Sequence, residues 1–288
     1  DPPGDFAKPA APLPAFDASE SLRLEDDHTL IEVSRANGSI TRICDTRSGL
    51  ELIREPRLAG SFRFSLVLPG KEPWQTIEAN WIHSRDQRLS RCEIDGDRLT
   101  LRWEGPLRNY LGEQFDASAT MTVELTDGGA LFGLAIDNRT AYPVGETYFP
   151  VLGGIQGLGA TYGQLKATRM LRPAPEGTTT SAEVFRVFAN QSSFGDQGPE
   201  QYFACPATQP EPWVAFVAPK ADRAALIGAI DPAKRDLVLR LELVPSSSGT
   251  TRDDGNWPRP AELNGRPVGV ELSFVDTAVG PAGKSYEA

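Results

Sequence analysis

Apolar and polar residues alternate with a period of two through most of this chain, and turn chemistry punctuates the alternation. The run Thr29-Leu30-Ile31-Glu32-Val33-Ser34 stops at Asn37-Gly38 and returns as Ser39-Ile40-Thr41-Arg42-Ile43-Cys44-Asp45. It turns again at Arg47-Ser48-Gly49 and continues as Leu50-Glu51-Leu52-Ile53. Asn-Gly between two alternating runs is the strongest short hairpin signal, because both residues tolerate the positive φ of a type I′ turn. The same grammar recurs in Ser61–Leu68, in Arg98–Glu104 after Asp95-Gly96, and in the pair Thr120–Thr126 and Ala130–Asn138 around Asp127-Gly128-Gly129. Further strands are expected at Thr76–Ile82, Glu146–Leu152, Ala160–Met170, Gln201–Cys205, Trp213–Ala218, Ala224–Asp231, Leu237–Val244 and Val268–Asp276. The run Leu237–Val244 is apolar enough to be buried on both faces. Ser181–Gln191 reads equally as a short helix or a strand.

Roughly fifteen to eighteen strands and no clear helix follow from this spacing. Strand twist accumulates, so an open sheet of that size curls or splits. The expected fold is therefore all-β: a large antiparallel sandwich of two sheets packed face to face. No repeat at a fixed period points to a propeller. Gly153-Gly154-Ile155-Gln156-Gly157-Leu158-Gly159 is expected to form a tight bend where strands change sheets. Residues 1–21, with Pro2, Pro3, Pro9, Pro12 and Pro14, read as an extended Pro/Ala-rich leader, and residues 22–288 as one β domain. Such a leader commonly follows a signal cleavage site, so a secreted or periplasmic location is expected.

Composition narrows the chemistry. The 288 residues carry a net charge of −10 and no basic block, which repels phosphate backbones and argues against nucleic acid as a partner. No apolar run is long enough to span a membrane as a helix. Neutral sugars meet no such electrostatic barrier. Cys44, Cys92 and Cys205 are too widely spaced for a zinc site. They read as three buried thiols, or as one disulfide and one thiol. Asn37-Gly38-Ser39, Asn138-Arg139-Thr140 and Asn190-Gln191-Ser192 match a glycosylation pattern but read more simply as turns.

The segments Leu24–Val33, Asn37–Ile40 and Asp45–Leu52 together resemble the start of galactose-mutarotase-like β-supersandwich domains, of the kind found at the N-terminus of glycoside hydrolases. Thr147-Tyr148-Phe149-Pro150-Val151-Leu152-Gly153-Gly154-Ile155 and Val270–Thr277 are similar to later stretches of the same domains. The resemblance implies a supersandwich and a carbohydrate-associated module. In true mutarotases two histidines and a glutamate do acid/base work on a sugar ring. In hydrolase-associated copies the domain usually supports a neighbouring catalytic domain.

The chain has two histidines, His28 and His83, and both read as surface residues rather than as a mutarotase pair. No carboxylate pair selects itself as catalytic. The better clue is the loop Thr251–Arg259, where Asp253 and Asn256 flank an expensive Trp257. A sugar's C–H face stacks on such a ring while carboxylates and amides bind its hydroxyls. Trp257, Asp253 and Asn256 are the expected sugar contacts, with Glu146 and Tyr148 as further candidates; Trp213, Trp103, Trp81 and Trp74 read as core. No phosphate loop, dinucleotide fingerprint or nucleophile elbow is present, and no cofactor or metal is expected. The leading expectation is an accessory, non-catalytic carbohydrate module acting beside a catalytic domain or partner chain. A stand-alone epimerase or glycan-cleaving enzyme, and a structural or adhesion domain, are the alternatives.

Overall fold

A computed structural model of the chain describes residues 20–69, 81–182, 200–219, 223–229, 237–244, 262–263, 266–267, 269–276 and 285–287. Turn chemistry sets the strand boundaries. In Asp127-Gly128, Gly128 takes φ 79°, and the two residues close a hairpin whose register runs from Thr126↔Gly129 to Ala117↔Asn138. Gly96, at φ 56°, does the same between Arg91–Asp95 and Arg98–Trp103. The Asn37-Gly38 hairpin also forms, but its loop is longer than a two-residue type I′ turn. The Gly38 amide donates to Ser34 O at 2.8 Å, and Asn37 Oδ1 accepts from the Ser39 amide at 3.1 Å. This wider loop seats Gly38 against Trp103, where a Cβ would overlap the indole.

Among the described residues the strands group into four main sheets and two short two-stranded ones, all with antiparallel pairing. An N-terminal sheet is a simple meander of Ser21–Glu25, Thr29–Ser34, Ile40–Asp45 and Leu50–Glu51. The central sheet has seven strands; its order is Glu200–Cys205, Leu237–Val244, Gly269–Asp276, Val144–Tyr148, Arg63–Leu66 and Trp81–His83, with Leu152–Ile155 also on Gly269–Asp276. The second sheet runs Ser285–Glu287, Gly129–Asn138, Ala117–Thr126, Arg98–Trp103, Arg91–Asp95. A further sheet runs Thr179–Ala182, Arg169–Pro173, Trp213–Ala218, Arg223–Gly228. The all-β sandwich expected from the pattern is thus observed, with its strands divided among more sheets than two.

Period-two alternation feeds one core. Along Ala117–Thr126 the buried positions are Ala117, Ala119, Met121, Val123 and Leu125. They join Leu99, Leu101 and Trp103 of the neighbouring strand, Phe64 and Leu66 of the central sheet, Ile31 and Val33 of the N-terminal sheet, and Val214 and Phe216 in a single apolar cluster. Trp103 ties three sheets together. It is fully buried, meets Phe62 edge-on at 4.9 Å, and donates its indole N–H to Asn37 O at 3.0 Å.

Two expectations are corrected. Ala160–Met170 is not one strand: a five-residue helix, Tyr162–Lys166, precedes strand Arg169–Pro173. Its cause is a capping box. Thr161 Oγ1 accepts from the Gln164 amide, and Gln164 Oε1 accepts from the Thr161 amide at 3.1 Å. Nor are the three cysteines all buried: Cys44 is buried, Cys205 intermediate and Cys92 exposed, and none is in a disulfide. Burial, and then the neighbouring Glu51 carboxylate, push the Cys44 thiol up to about 12. An unfolded cysteine ionises near pH 8.5, roughly, so Cys44 supports the fold fully below that pH and progressively less as pH rises toward 12. At pH 8 a maleimide is expected to label Cys92 quickly and Cys44 only after unfolding; rapid labelling of Cys44 in the folded protein would contradict its placement.

The glycine-rich segment is not only a bend: Gly153, Gly154 and Ile155 lie in strand Leu152–Ile155 of the central sheet, where the backbone makes a close approach. Gly154, at φ 89°, offers its carbonyl to the amides of Arg54 (3.0 Å) and Glu55 (3.1 Å), and a Cβ at Gly154 would collide with Glu55 O.

Candidate functional site

Because successive side chains on a strand point to opposite faces, the central sheet has a face turned away from the core. Phe64, Leu272 and Phe274 point inward. Their neighbours Arg63, Glu271, Ser273 and Val275 point the other way. Register then brings distant residues together: Arg63 lies opposite Tyr148 on one side and His83 on the other, Ser65 opposite Trp81, and Tyr148 opposite Val275.

Arg63 is the centre of this face. Its side chain is only 13% exposed, and its Nη1 lies 3.6 Å from Glu271 Oε1. The guanidinium sits over the Tyr148 ring at 4.0 Å and over Trp81 at 5.2 Å. Trp81 meets Tyr148 edge-on at 4.9 Å. Tyr148 Oη donates to Glu146 Oε2 at 3.1 Å, and the Glu146 amide donates to Ser65 Oγ at 3.2 Å. Desolvated cation–π contacts of this kind contribute about 2 kcal/mol. Two buried polar atoms here have no hydrogen-bond partner: Arg63 Nε and Ser273 Oγ.

Trp81 and Tyr148 are 5% and 6% exposed, so they form walls rather than an open stacking platform. Open rings stand at the two margins. Tyr202, 53% exposed, pairs with Arg240, which pairs with Ser273. Tyr110, 65% exposed, tips the loop between Leu107–Arg108 and Gln114–Phe115, and its amide donates to Trp81 O at 3.2 Å. The six strands in line between these margins span about 24 Å at ~4.8 Å per step. A buried guanidinium, two carboxylates, an imidazole and unpaired donors can bind a cluster of neutral hydroxyls. Among the described residues no cluster of three His, Cys, Asp or Glu side chains is placed to hold a metal.

Of the expected sugar contacts, Glu146 and Tyr148 fall on this face and touch each other. Trp257, Asp253 and Asn256 lie outside the described residues, as does Trp74. Trp81 is buried as expected, in a small apolar cluster with Tyr148, Val151 and Val275 on this face. The two histidines are half-buried rather than plain surface residues, and the central sheet separates them: His83 is on this face and His28 lines a cavity on the core side. Sequence reasoning missed Arg63, Glu271 and Ser273. The available signal was a charged or hydroxyl residue set between large apolar ones, as in Phe62-Arg63-Phe64 and Val270-Glu271-Leu272-Ser273-Phe274.

No known family profile and no curated protein matches the chain. Solved structures do. The chain is similar to a region of a 4-alpha-glucanotransferase from Thermococcus litoralis, with 11% identity and a TM-score of 0.52, over 98% of this chain and 39% of that one. The chain thus spans about 39% of that protein's length. It is also similar to a galactose mutarotase-related enzyme from Lactobacillus acidophilus, at 11% identity and TM-score 0.49, over 93% and 95% of the two chains. The first likeness carries weight, and at that identity it is one of fold alone. The all-β sandwich expected from the sequence is the fold that the chain shares with the matched region of the glucanotransferase.

Proposed function

We propose that this chain is a carbohydrate-associated module that holds a neutral sugar on the outward face of its central sheet, around Arg63, Glu146, Tyr148, Glu271 and Ser273. The observation that carries the reading is the pair of buried, unpartnered atoms, Arg63 Nε and Ser273 Oγ, beside two carboxylates. Leaving a polar atom buried and unpaired costs about 1–3 kcal/mol, and a ligand hydroxyl recovers it. The net charge of −10 favours neutral over anionic saccharides. Supporting the accessory role, both carboxylates are already engaged, Glu271 by Arg63 and Glu146 by Tyr148. Engaged carboxylates suit holding hydroxyls better than moving protons. The module then acts beside a glycoside-hydrolase-like catalytic domain or partner chain, in an exported protein.

One observation favours a second reading, an aldose epimerase: His83 shares the face with Glu146 and Glu271, and imidazole is matched to proton transfer near neutral pH. Anomer exchange followed by NMR with free aldoses separates the two. The accessory reading expects saturable binding and no acceleration over buffer. Acceleration abolished by Glu271→Gln replaces it with the enzymatic reading. No binding of any neutral mono- or oligosaccharide contradicts both and leaves a structural or adhesion role.

A further inference from the structure

The core side of the central sheet holds a cavity of about 750 Å³ where that sheet, the N-terminal sheet, the Gly128–Phe132 turn and strand Arg223–Gly228 meet. Its size falls in the range of small-molecule pockets, roughly 300–1,000 Å³. Ile31, Leu52, Phe149 and Phe274 wall it, so its body is apolar. Its polar groups fall in two places, one on the N-terminal sheet and one on the central sheet. Thr147 and Asp276 are directly paired across neighbouring strands, are 1% and 2% exposed, and both line the cavity. Thr147 Oγ1 is buried and has no hydrogen-bond partner. On the N-terminal sheet side His28, Thr29, Asp45 and the exposed Arg47 also line the cavity.

We infer that this cavity is a second binding site, back to back with the sugar face and independent of it, and that it takes a neutral amphipathic alcohol: an apolar chain or ring body with a hydroxyl at one end. The apolar walls take the body, which gains by leaving water. The hydroxyl meets Thr147 and Asp276. A hydroxyl both donates and accepts, so it can satisfy Thr147 Oγ1 in either sense while giving its own proton to the Asp276 carboxylate. An alkylammonium head is attracted by the Asp276 carboxylate, but it offers Thr147 only donors and pays a charge-desolvation cost to enter that offsets the attraction. An anionic head meets the Asp276 carboxylate and is repelled.

The test is an NMR titration of the intact chain with decan-1-ol, run beside decylammonium. The expected result is saturable shifts at Thr147, Asp276, Leu52 and Ala225, with the alcohol binding more tightly than the ammonium. Thr147→Val keeps the shape and removes the hydroxyl, and is expected to weaken binding about tenfold, the upper end for one hydrogen bond. Ala225→Phe, at a partly buried cavity position, is expected to abolish binding while the spectrum stays folded. If Ala225→Phe does not fold, the Thr147→Val comparison decides alone. Absence of saturable shifts, shifts confined to the opposite face, unchanged affinity in Thr147→Val, or tighter binding of the ammonium would each overturn the inference. Neutral-sugar titration reads the other face, so failure here leaves that reading standing.

Discussion

Replacing Trp103 with alanine is expected to cost about 3–5 kcal/mol, the range for removing a large buried aromatic. The indole is fully buried and serves three sheets at once. It belongs to the second sheet, packs edge-on against Phe62 beside the central sheet, and hydrogen-bonds the Asn37 carbonyl in the first hairpin loop. Gly38, at φ 74°, lies directly against the ring, so the loop is shaped around it and cannot simply close the void. Trp103→Phe keeps much of the packing and loses the N–H bond, and is expected to cost clearly less. Urea unfolding of the three proteins measures this. A loss under ~1 kcal/mol for Trp103→Ala would mean the indole does not join the sheets as described.

Arg63→Leu is the second large effect, and it falls on the proposed site. The substitution removes the guanidinium that faces a buried carboxylate at Glu271 and covers the Tyr148 ring. Breaking a buried pair from one side costs about 3–5 kcal/mol, because a charge stays in a poorly solvated place. Stability is therefore expected to fall by about 3 kcal/mol, and neutral-sugar binding to be lost. Arg63→Lys keeps the charge but not the planar fork, and should bind sugar weakly. The double variant Arg63→Leu with Glu271→Leu is expected to regain much of the stability but none of the binding. That split separates the role of the pair in folding from its role in recognition. A double variant that still binds sugar would remove Arg63 and Glu271 from the site.

The hairpins were legible because their causes are local: a glycine at positive φ in Asp127-Gly128, and alternation along Ala117–Thr126. The helix at Tyr162 was missed although its cause is local too. The Thr161–Gln164 capping box sits before too short an apolar run to announce a helix. The site was only half legible. Glu146 and Tyr148 lie two residues apart, and the sequence displayed them together. Arg63 and Trp81 come from consecutive strands, but Glu271 lies much further along the chain, and it meets them only through the register of a sheet whose strand order is nonlocal. Alternation shows that Glu271 and Leu272 face opposite ways, but not that both are buried, as every position of Gly269–Asp276 is. A strand buried on two faces hides which face is the core and which is a site. Trp81 illustrates this: it is buried, as a tryptophan in a strand is expected to be, and it still lies on the face of the candidate site.

The most direct test of the account is where a bound neutral saccharide sits. Titrating the isotope-labelled chain with neutral mono- and oligosaccharides and mapping the shifted resonances answers it. The account predicts saturable changes at Arg63, Ser65, His83, Tyr148 and Ser273, with Leu99 and Met121 in the core unmoved. Changes confined to other surfaces, with the Arg63 face silent at saturation, would contradict it.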